Sequence, residues 1–197
     1  MAMTFDDKYL FTSDYNRDGH LKQWLVSDAE MIKDYGQVFD HGIDSLCMTP
    51  DNKYLFAGSY LGHLKQICLE RREVVVDYGK IHDNRLRWLE VTSDSKQLIT
   101  GGWDKIIKIV AIDKRRLSRD HGKVCNRGAS RLRMTADDNL VMVGDQGGNI
   151  FLLSLEIGNC IVDFKTIRDG AISGIMITGD NKFVFGSSNG GVLMQWE

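Results

Sequence analysis

MTPDNKYLF, Met48 to Phe56, is one of five versions of a single nine-residue phrase. The others are MTFDDKYLF at Met3, VTSDSKQLI at Val91, MTADDNLVM at Met134 and ITGDNKFVF at Ile177, at successive intervals of 45, 43, 43 and 43 residues. Near-constant spacing of a Thr-x-Asp turn ahead of an apolar run is the mark of a repeat architecture. The repeats divide the chain into 3–47, 48–90, 91–133, 134–176 and an incomplete 177–197.

Working outward from Met48, each unit reads as short strands separated by turn residues. IDSLCMT alternates, Pro50-Asp51-Asn52-Lys53 turns, YLFAGS forms a second strand, and Leu61-Gly62 turns again. HLKQICLE and VVVDY supply a third and fourth strand across the charged ERRE. Period-two alternation with β-branched and aromatic residues predicts strands. Asp, Asn and Gly set the turns through Asx hydrogen bonds and positive φ. No segment keeps a 3.6-residue apolar period, so helix is not expected.

Four antiparallel strands per repeat of about 43 residues predict an all-β chain of propeller blades. The third unit, HDNRLRWLEVTSD followed by TGGWDKIIKIV, resembles the WD-repeat (WD40) family. The resemblance puts His82 on the family's structural histidine, Thr100 on its hydroxyl and Asp104 on its buried aspartate, with Val110 where the tryptophan belongs. Trp24 and Trp196 hold the tryptophan position in the first and last units, while Ile67 and Leu153 replace it elsewhere. The aspartate position becomes Leu61, Gly147 and Gly190. The repeats are thus divergent, and blade cohesion is expected to rest on apolar packing between sheets.

By strand count the first unit lacks most of its inner strand and the last lacks its outer one, which gives about 4.5 blades. A ring of this family needs about seven. The expectation is a partial or open propeller, part of a longer protein or larger assembly, whose exposed blade faces and edges invite self-association.

Composition is that of an ordinary globular chain, 43% hydrophobic and 26% charged at a net charge of −2. No apolar run is long enough for a membrane span, and the first residues lack a basic leader with an apolar core. The expected location is cytoplasmic or nuclear. Cys47, Cys68, Cys125 and Cys160 form no C-x-x-C pair, which argues for small buried or half-buried thiols instead of a zinc site.

No nucleophile elbow, phosphate loop or zinc-protease motif is present, so catalysis is not expected and no cofactor is implied. Binding to a protein or peptide partner is the expected function. The resemblance places Tyr60, Trp103, Gln146 and Asn189 on one face of the propeller, with Asp83 and Arg85 nearby; Tyr, Trp and Arg dominate interface energetics. An alternative is anion binding, to phosphoinositide or nucleic acid, through Lys114, Arg115, Arg116, Arg119, Arg127, Arg131 and Arg133. Between Lys105 and Arg133 ten bases face only Asp113 and Asp120. The absence of interleaved aromatics argues against nucleic acid.

DYNRDGHLKQWL, Asp14 to Leu25, begins like a calcium loop, making Asp14, Asn16 and Asp18 weak candidate ligands. Leu25 stands where such a loop needs a bidentate Glu, and the second-unit counterpart SYLGHLKQICL is a plain hairpin. No metal is expected.

Overall fold

The computed structural model describes residues 1–14, 18–158, 160–164, 167 and 170–197. Five antiparallel sheets follow one another along the chain, four of four strands and the last of three. The first blade is β1 (Ala2–Met3), β2 (Tyr9–Ser13), β3 (His20–Leu25) and β4 (Glu30–Gln37). The second is β5 (Ile43–Met48), β6 (Tyr54–Ser59), β7 (His63–Cys68) and β8 (Glu73–Lys80). The third is β9 (Leu86–Val91), β10 (Gln97–Gly102), β11 (Ile106–Ala111) and β12 (Arg116–Lys123). The fourth is β13 (Ala129–Met134), β14 (Leu140–Asp145), β15 (Ile150–Ser154) and β16 (Cys160–Phe164), and the fifth is β17 (Ile172–Ile177), β18 (Val184–Ser188) and β19 (Leu193–Trp196). The chain is therefore an all-β propeller arc of about 4.5 blades, with no helix among the described residues.

Alternation along the strands sends successive residues to neighbouring blades. Phe11 and Leu21 of the first blade pack against Leu55, Ala57 and Ile67 of the second. Phe56 and Leu64, on the second blade's other face, meet Leu98 and Val110 of the third. Ile99, Ile107 and Ile109 then meet Val141, Val143, Phe151 and Leu153, and Met142 and Ile150 meet Ile175, Ile177 and Val184. The second, third and fourth sheets are thus buried on both faces, which explains why second strands such as YLFAGS read as nearly continuous apolar runs.

The Thr-x-Asp phrase closes the turn between first and second strands at one end of every blade. The Thr hydroxyl oxygen accepts the N–H of the residue five on, at 2.9 Å for Tyr9, 3.0 Å for Tyr54, Gln97 and Phe183, and 3.1 Å for Leu140. The Thr hydroxyl donates to the Asp carboxylate at 2.6 Å from Thr49, 2.7 Å from Thr92, 2.5 Å from Thr135 and 2.6 Å from Thr178. The third residue after Thr, which is Asp7, Asn52, Ser95, Asp138 or Asn181, adopts positive φ between 56° and 59° in all five blades.

Those left-handed residues also join one blade to the next. The N–H of Phe5 donates to Asn52 Oδ1 at 2.7 Å, that of Ser93 to Asp138 Oδ2 at 2.7 Å, and that of Ala136 to Asn181 Oδ1 at 3.0 Å. In the second blade the donor position is Pro50, which has no N–H, and the facing residue is Ser95. Three of the four junctions therefore carry this clasp, and the junction between second and third blades does not.

At the opposite end, the hairpin between second and third strands needs one left-handed residue: Gly19, Gly62, Lys105, Gly148 and Gly191. A Cβ on Gly62 would stand 2.0 Å from the His82 carbonyl oxygen, so the backbone of the next loop is packed directly on it. Lys105 occupies the same conformation, φ 75°, with a full side chain.

Candidate functional site

The end of the arc opposite the Thr-x-Asp turns carries the residues that the sequence grouped as an interaction face. Tyr60, Trp103, Gln146 and Asn189 each follow a second strand. Each donates its backbone N–H to the residue just ahead of the same blade's inner strand: Gly42 at 2.9 Å, Arg85 at 2.9 Å, Gly128 at 3.0 Å and Ala171 at 2.9 Å. Donors and acceptors both advance by 43 residues, so the four side chains are mounted identically, blade after blade.

Arg85 sits among them but points inward. Its Nε and Nη2 donate to the Asp44 carboxylate at 2.6 and 2.8 Å, and the two side chains are only 8% and 1% exposed. The guanidinium lies 4.6 Å from the Tyr60 ring and 4.2 Å from the Trp103 ring. Trp103 also packs on Gly128, where a Cβ would come within 3.2 Å of the indole. Arg85 is therefore the buried post of an aromatic platform and not itself a contact residue. Tyr60 remains 44% exposed, and Asp83 and Asn189 are exposed beside it. Gln146 and Trp103 are half-buried.

Beneath Trp103 lies the polar network of the third blade. His82 Nδ1 is 2.9–3.0 Å from both Asp104 oxygens, and its Nε2 is 2.9 Å from the Thr100 hydroxyl. Asp104 also accepts the N–H groups of Asp83 and Ile106 at 2.9 and 3.2 Å. Burial raises the Asp104 pKa, but the hydrogen bond and charge of His82, with the two backbone donors, outweigh it and hold the carboxyl below its usual value. The network pins the loop into the blade.

The other half of the family's polar set stands two blades away. Trp24 Nε1 donates to the Thr12 hydroxyl at 2.8 Å. Trp196 packs on Phe164, with ring centroids 5.6 Å apart. Sequence reading missed Asp145 of the fourth blade, where alignment pointed to Gly147. Asp145 is fully buried and accepts the N–H groups of Arg127, Gly147 and Asn149 at 2.8–3.0 Å, together with the Asn149 side-chain amide. It does the work of Asp104 from a position two residues earlier.

The basic stretch does not form one patch. Lys114, Arg115 and Arg116 are exposed at the turn between β11 and β12, at the Thr-x-Asp end. Arg119 reaches the carbonyls of Leu155 and Glu156 in the next blade. Arg127 is exposed at the opposite end, where its N–H belongs to Asp145. Arg131 and Arg133 line the inner strand. Arg131 stacks 4.9 Å from Trp88 and donates to the carbonyls of Ser173 and Ser130 at 2.7 Å each, while Arg133 pairs with Glu90 at 3.3 Å. Burial, then the nearby Arg87, pulls the Arg131 pKa down.

Of the calcium-loop residues, Asn16 lies outside the described residues. Asp14 Oδ1 accepts the His20 N–H at 3.2 Å as part of the hairpin, and Asp18 is exposed in the turn. Among the described residues no group of three or more His, Cys, Asp or Glu could hold a metal ion. The cysteines are free; Cys68 and Cys125 are buried, Cys47 is half-buried with its thiol pushed up to about 12 by burial, and Cys160 is exposed, contrary to the expectation of burial. Cys160 opens β16, the outer strand of the fourth blade, where Ile161 and Val162 are exposed as well. Among the described residues no helix is long and apolar enough to cross a membrane.

The comparisons with known proteins agree with this geometry. Residues 79–110 match the family "WD domain, G-beta repeat", the stretch from the end of β8 through β11 that holds His82, Thr100 and Asp104. No curated protein sequence matches the chain. Among solved structures, Kuenenia stuttgartiensis hydrazine synthase is similar with a TM-score of 0.84 at 11% identity, over 95% of this chain and 54% of that one. The chain thus spans about half the length of that relative, and the likeness is one of fold alone. Residues 79–110 match a WD40 repeat, and the chain around them has the fold of a β-propeller arc.

Proposed function

We propose that the chain is a non-catalytic protein–protein interaction scaffold that takes a protein or peptide partner on the end carrying Tyr60 and Trp103. The observation that carries this reading is the aromatic platform. Two rings lie against one buried, ion-paired guanidinium, so their orientation costs little further ordering when a partner arrives. Asp83, Gln146 and Asn189 would form a polar rim, the arrangement of an interface with aromatic anchors. WD-repeat propellers are interaction modules in general, which supports the class and leaves the partner open.

The test is selection of peptides from a displayed library, followed by binding to variants. Tyr60→Ala and Asp83→Ala, both at exposed side chains, should each weaken the selected peptides by about tenfold or more; Asp83→Ala should leave the melting temperature unchanged, and Tyr60→Ala, which uncovers one face of the Arg85 guanidinium, should lower it by only about 2–4 °C. Peptides that bind both variants as well as the parent would sink the assignment. The alternative, anion binding, is favoured only by the exposed Lys114-Arg115-Arg116 turn. Heparin or phosphoinositide retention lost on Arg115→Glu with Arg116→Glu would support it in place of the platform.

A further inference from the structure

We propose that the outer corner between the third and fourth blades is a binding site for a phenol, either a tyrosine side chain or a free small phenol. The corner is internal to the arc and lies at the Thr-x-Asp end, away from the platform of Tyr60 and Trp103. The other junctions show what belongs there. Tyr35 and Tyr78 stand one residue before the glycine of their fourth strands and pack on the core shared with the next blade. Tyr35 donates its hydroxyl to Gln23 Oε1 at 3.1 Å, and Tyr78 donates to Gln66 Oε1 at 2.8 Å. Tyr9 and Tyr54, five residues after the turn threonine, pack on the same cores. In the fourth blade the place of Tyr35 and Tyr78 is held by Phe164, whose ring packs on Trp196. Three of the four junctions thus set a benzene ring at this position.

The third junction is the exception. By the 43-residue register His121 replaces Tyr78, Ile109 replaces Gln66 and Gln97 replaces Tyr54. The imidazole is shorter than a phenol, and its Nε2 is buried with no hydrogen-bond partner among the described residues. What remains is a cleft of about 500 Å³, whose lining includes Gln97, Ile109, Ser118, Arg119, Asp138 and Leu155. That size is within the range of small-molecule sites. At the first junction, where both tyrosines stand, the same corner keeps about 340 Å³.

The lining suits a neutral hydroxy-aromatic. Ile109 and Leu155 are buried core residues, so the apolar part of the wall is fixed before a ring covers it. The rim is polar and only half used. Arg119 is held by bonds from Nη1 to the carbonyls of Leu155 and Glu156, which leaves its Nε and Nη2 without partners among the described residues. Asp138 takes the Ser93 N–H and hydroxyl on Oδ2, which leaves Oδ1 open among the described residues. A phenol oxygen accepts from the guanidinium and donates its proton to the carboxylate, so one rim meets both functions of the hydroxyl. In the first two junctions the chain supplies the tyrosine itself; in the third the ligand brings it.

Titration of the whole chain with p-cresol, the tyrosine side chain alone, followed by amide NMR, tests the site. Saturable shifts at Ile109, Ser118 and Leu155 are expected, with a dissociation constant of about 1 mM or tighter for a ligand of this size. Toluene, which fills the same volume without the hydroxyl, should bind at least about tenfold more weakly. N-acetyltyrosinamide separates the two sources: binding as tight as p-cresol assigns a partner's tyrosine, and weaker binding assigns a free phenol. His121→Tyr with Ile109→Gln rebuilds the pair of the second blade and should weaken p-cresol by about tenfold or more. Gln97→Tyr, at an exposed side chain, narrows the same cleft and keeps the test open should the double variant fail to fold. Absence of a saturable shift at about 10 mM p-cresol would overturn the proposal. So would toluene binding as tightly, or undiminished p-cresol binding by variants that are folded by circular dichroism.

Discussion

Replacing Asp44 with alanine leaves the Arg85 guanidinium in a site that is closed to water and has lost its counter-charge. The two side chains are 1% and 8% exposed and share bonds of 2.6 and 2.8 Å. Removing one member of such a pair costs about 3–5 kcal/mol, because the survivor stays desolvated. The Tyr60 and Trp103 faces at 4.6 and 4.2 Å offset part of this, which favours the lower half of that range. For a domain of this length each kcal/mol moves the melting temperature by about 2–4 °C, so a fall of roughly 6–15 °C is expected. Arg87 is the internal control. It touches the same carboxylate at 3.3 Å but is 35% exposed, and Arg87→Ala should cost no more than about 1 kcal/mol. Asp44→Leu combined with Arg85→Met removes both charges and should recover much of the loss. The assay is urea or thermal denaturation of the single and double variants as a cycle. A loss below about 2 °C for Asp44→Ala, or a strictly additive double variant, would refute the claim that the pair is buried and coupled.

Other consequences are open to equally direct measurement. Gly62→Ala drives a methyl to 2.0 Å from the His82 carbonyl at positive φ and should cost more than about 3 kcal/mol in denaturant titration. Lys105→Gly relieves a left-handed lysine at the equivalent hairpin and should gain about 0.5–1 kcal/mol, read as a higher melting temperature. Pro50→Ala and Ser95→Asn together should restore the missing clasp, visible as a favourable coupling of about 0.5–1.5 kcal/mol that neither change shows alone. Acid stability should fall through the Thr-x-Asp turns. Asp6, Asp94, Asp137 and Asp180 have carboxyls lowered first by the Thr hydroxyl; Asp51 is lowered too, burial being outweighed by Thr49 and Lys53. A depressed folded pKa gives stability that is present above the unfolded value near 4 and lost as pH falls through the folded one. The denaturation midpoint should therefore hold from neutrality to about pH 4 and drop below it, and a flat midpoint down to pH 3 would contradict this.

The blades were legible because their turn chemistry is local. A Thr, an Asp two residues on and a left-handed residue after them are contiguous, so the sequence displays the whole device. A second device was equally visible and went unread: Asp34-Tyr35-Gly36, Asp77-Tyr78-Gly79 and Asp120-His121-Gly122 recur at 43-residue intervals in the fourth strands. In each, the Asp side chain accepts the Gly N–H at 2.8 Å. What the sequence hid was contact between blades. Asp44 and Arg85 lie 41 residues apart, and nothing near Arg85 announces that its charge is met from another sheet. Asp145 was hidden by a two-residue offset that keeps the geometry while moving the letter. The basic stretch looked like one surface because its residues are close in sequence. Hairpins and an inner strand carry them to both ends and the inner wall of the arc.

The junction between the second and third blades combines two features in a way that gives it a mechanical character. At one end Pro50 and Ser95 leave it unfastened, and at the other the Asp44–Arg85 pair and the 2.7 Å bond from Ser45 to the Leu86 carbonyl bolt it together. Opening there would begin at the turn end and pivot about the ion pair, as a book opens about its spine. Amide hydrogen exchange should accordingly be faster at the Val91 end of β9 than at its Leu86 end. Uniform protection along that strand would mean that the joint is rigid throughout.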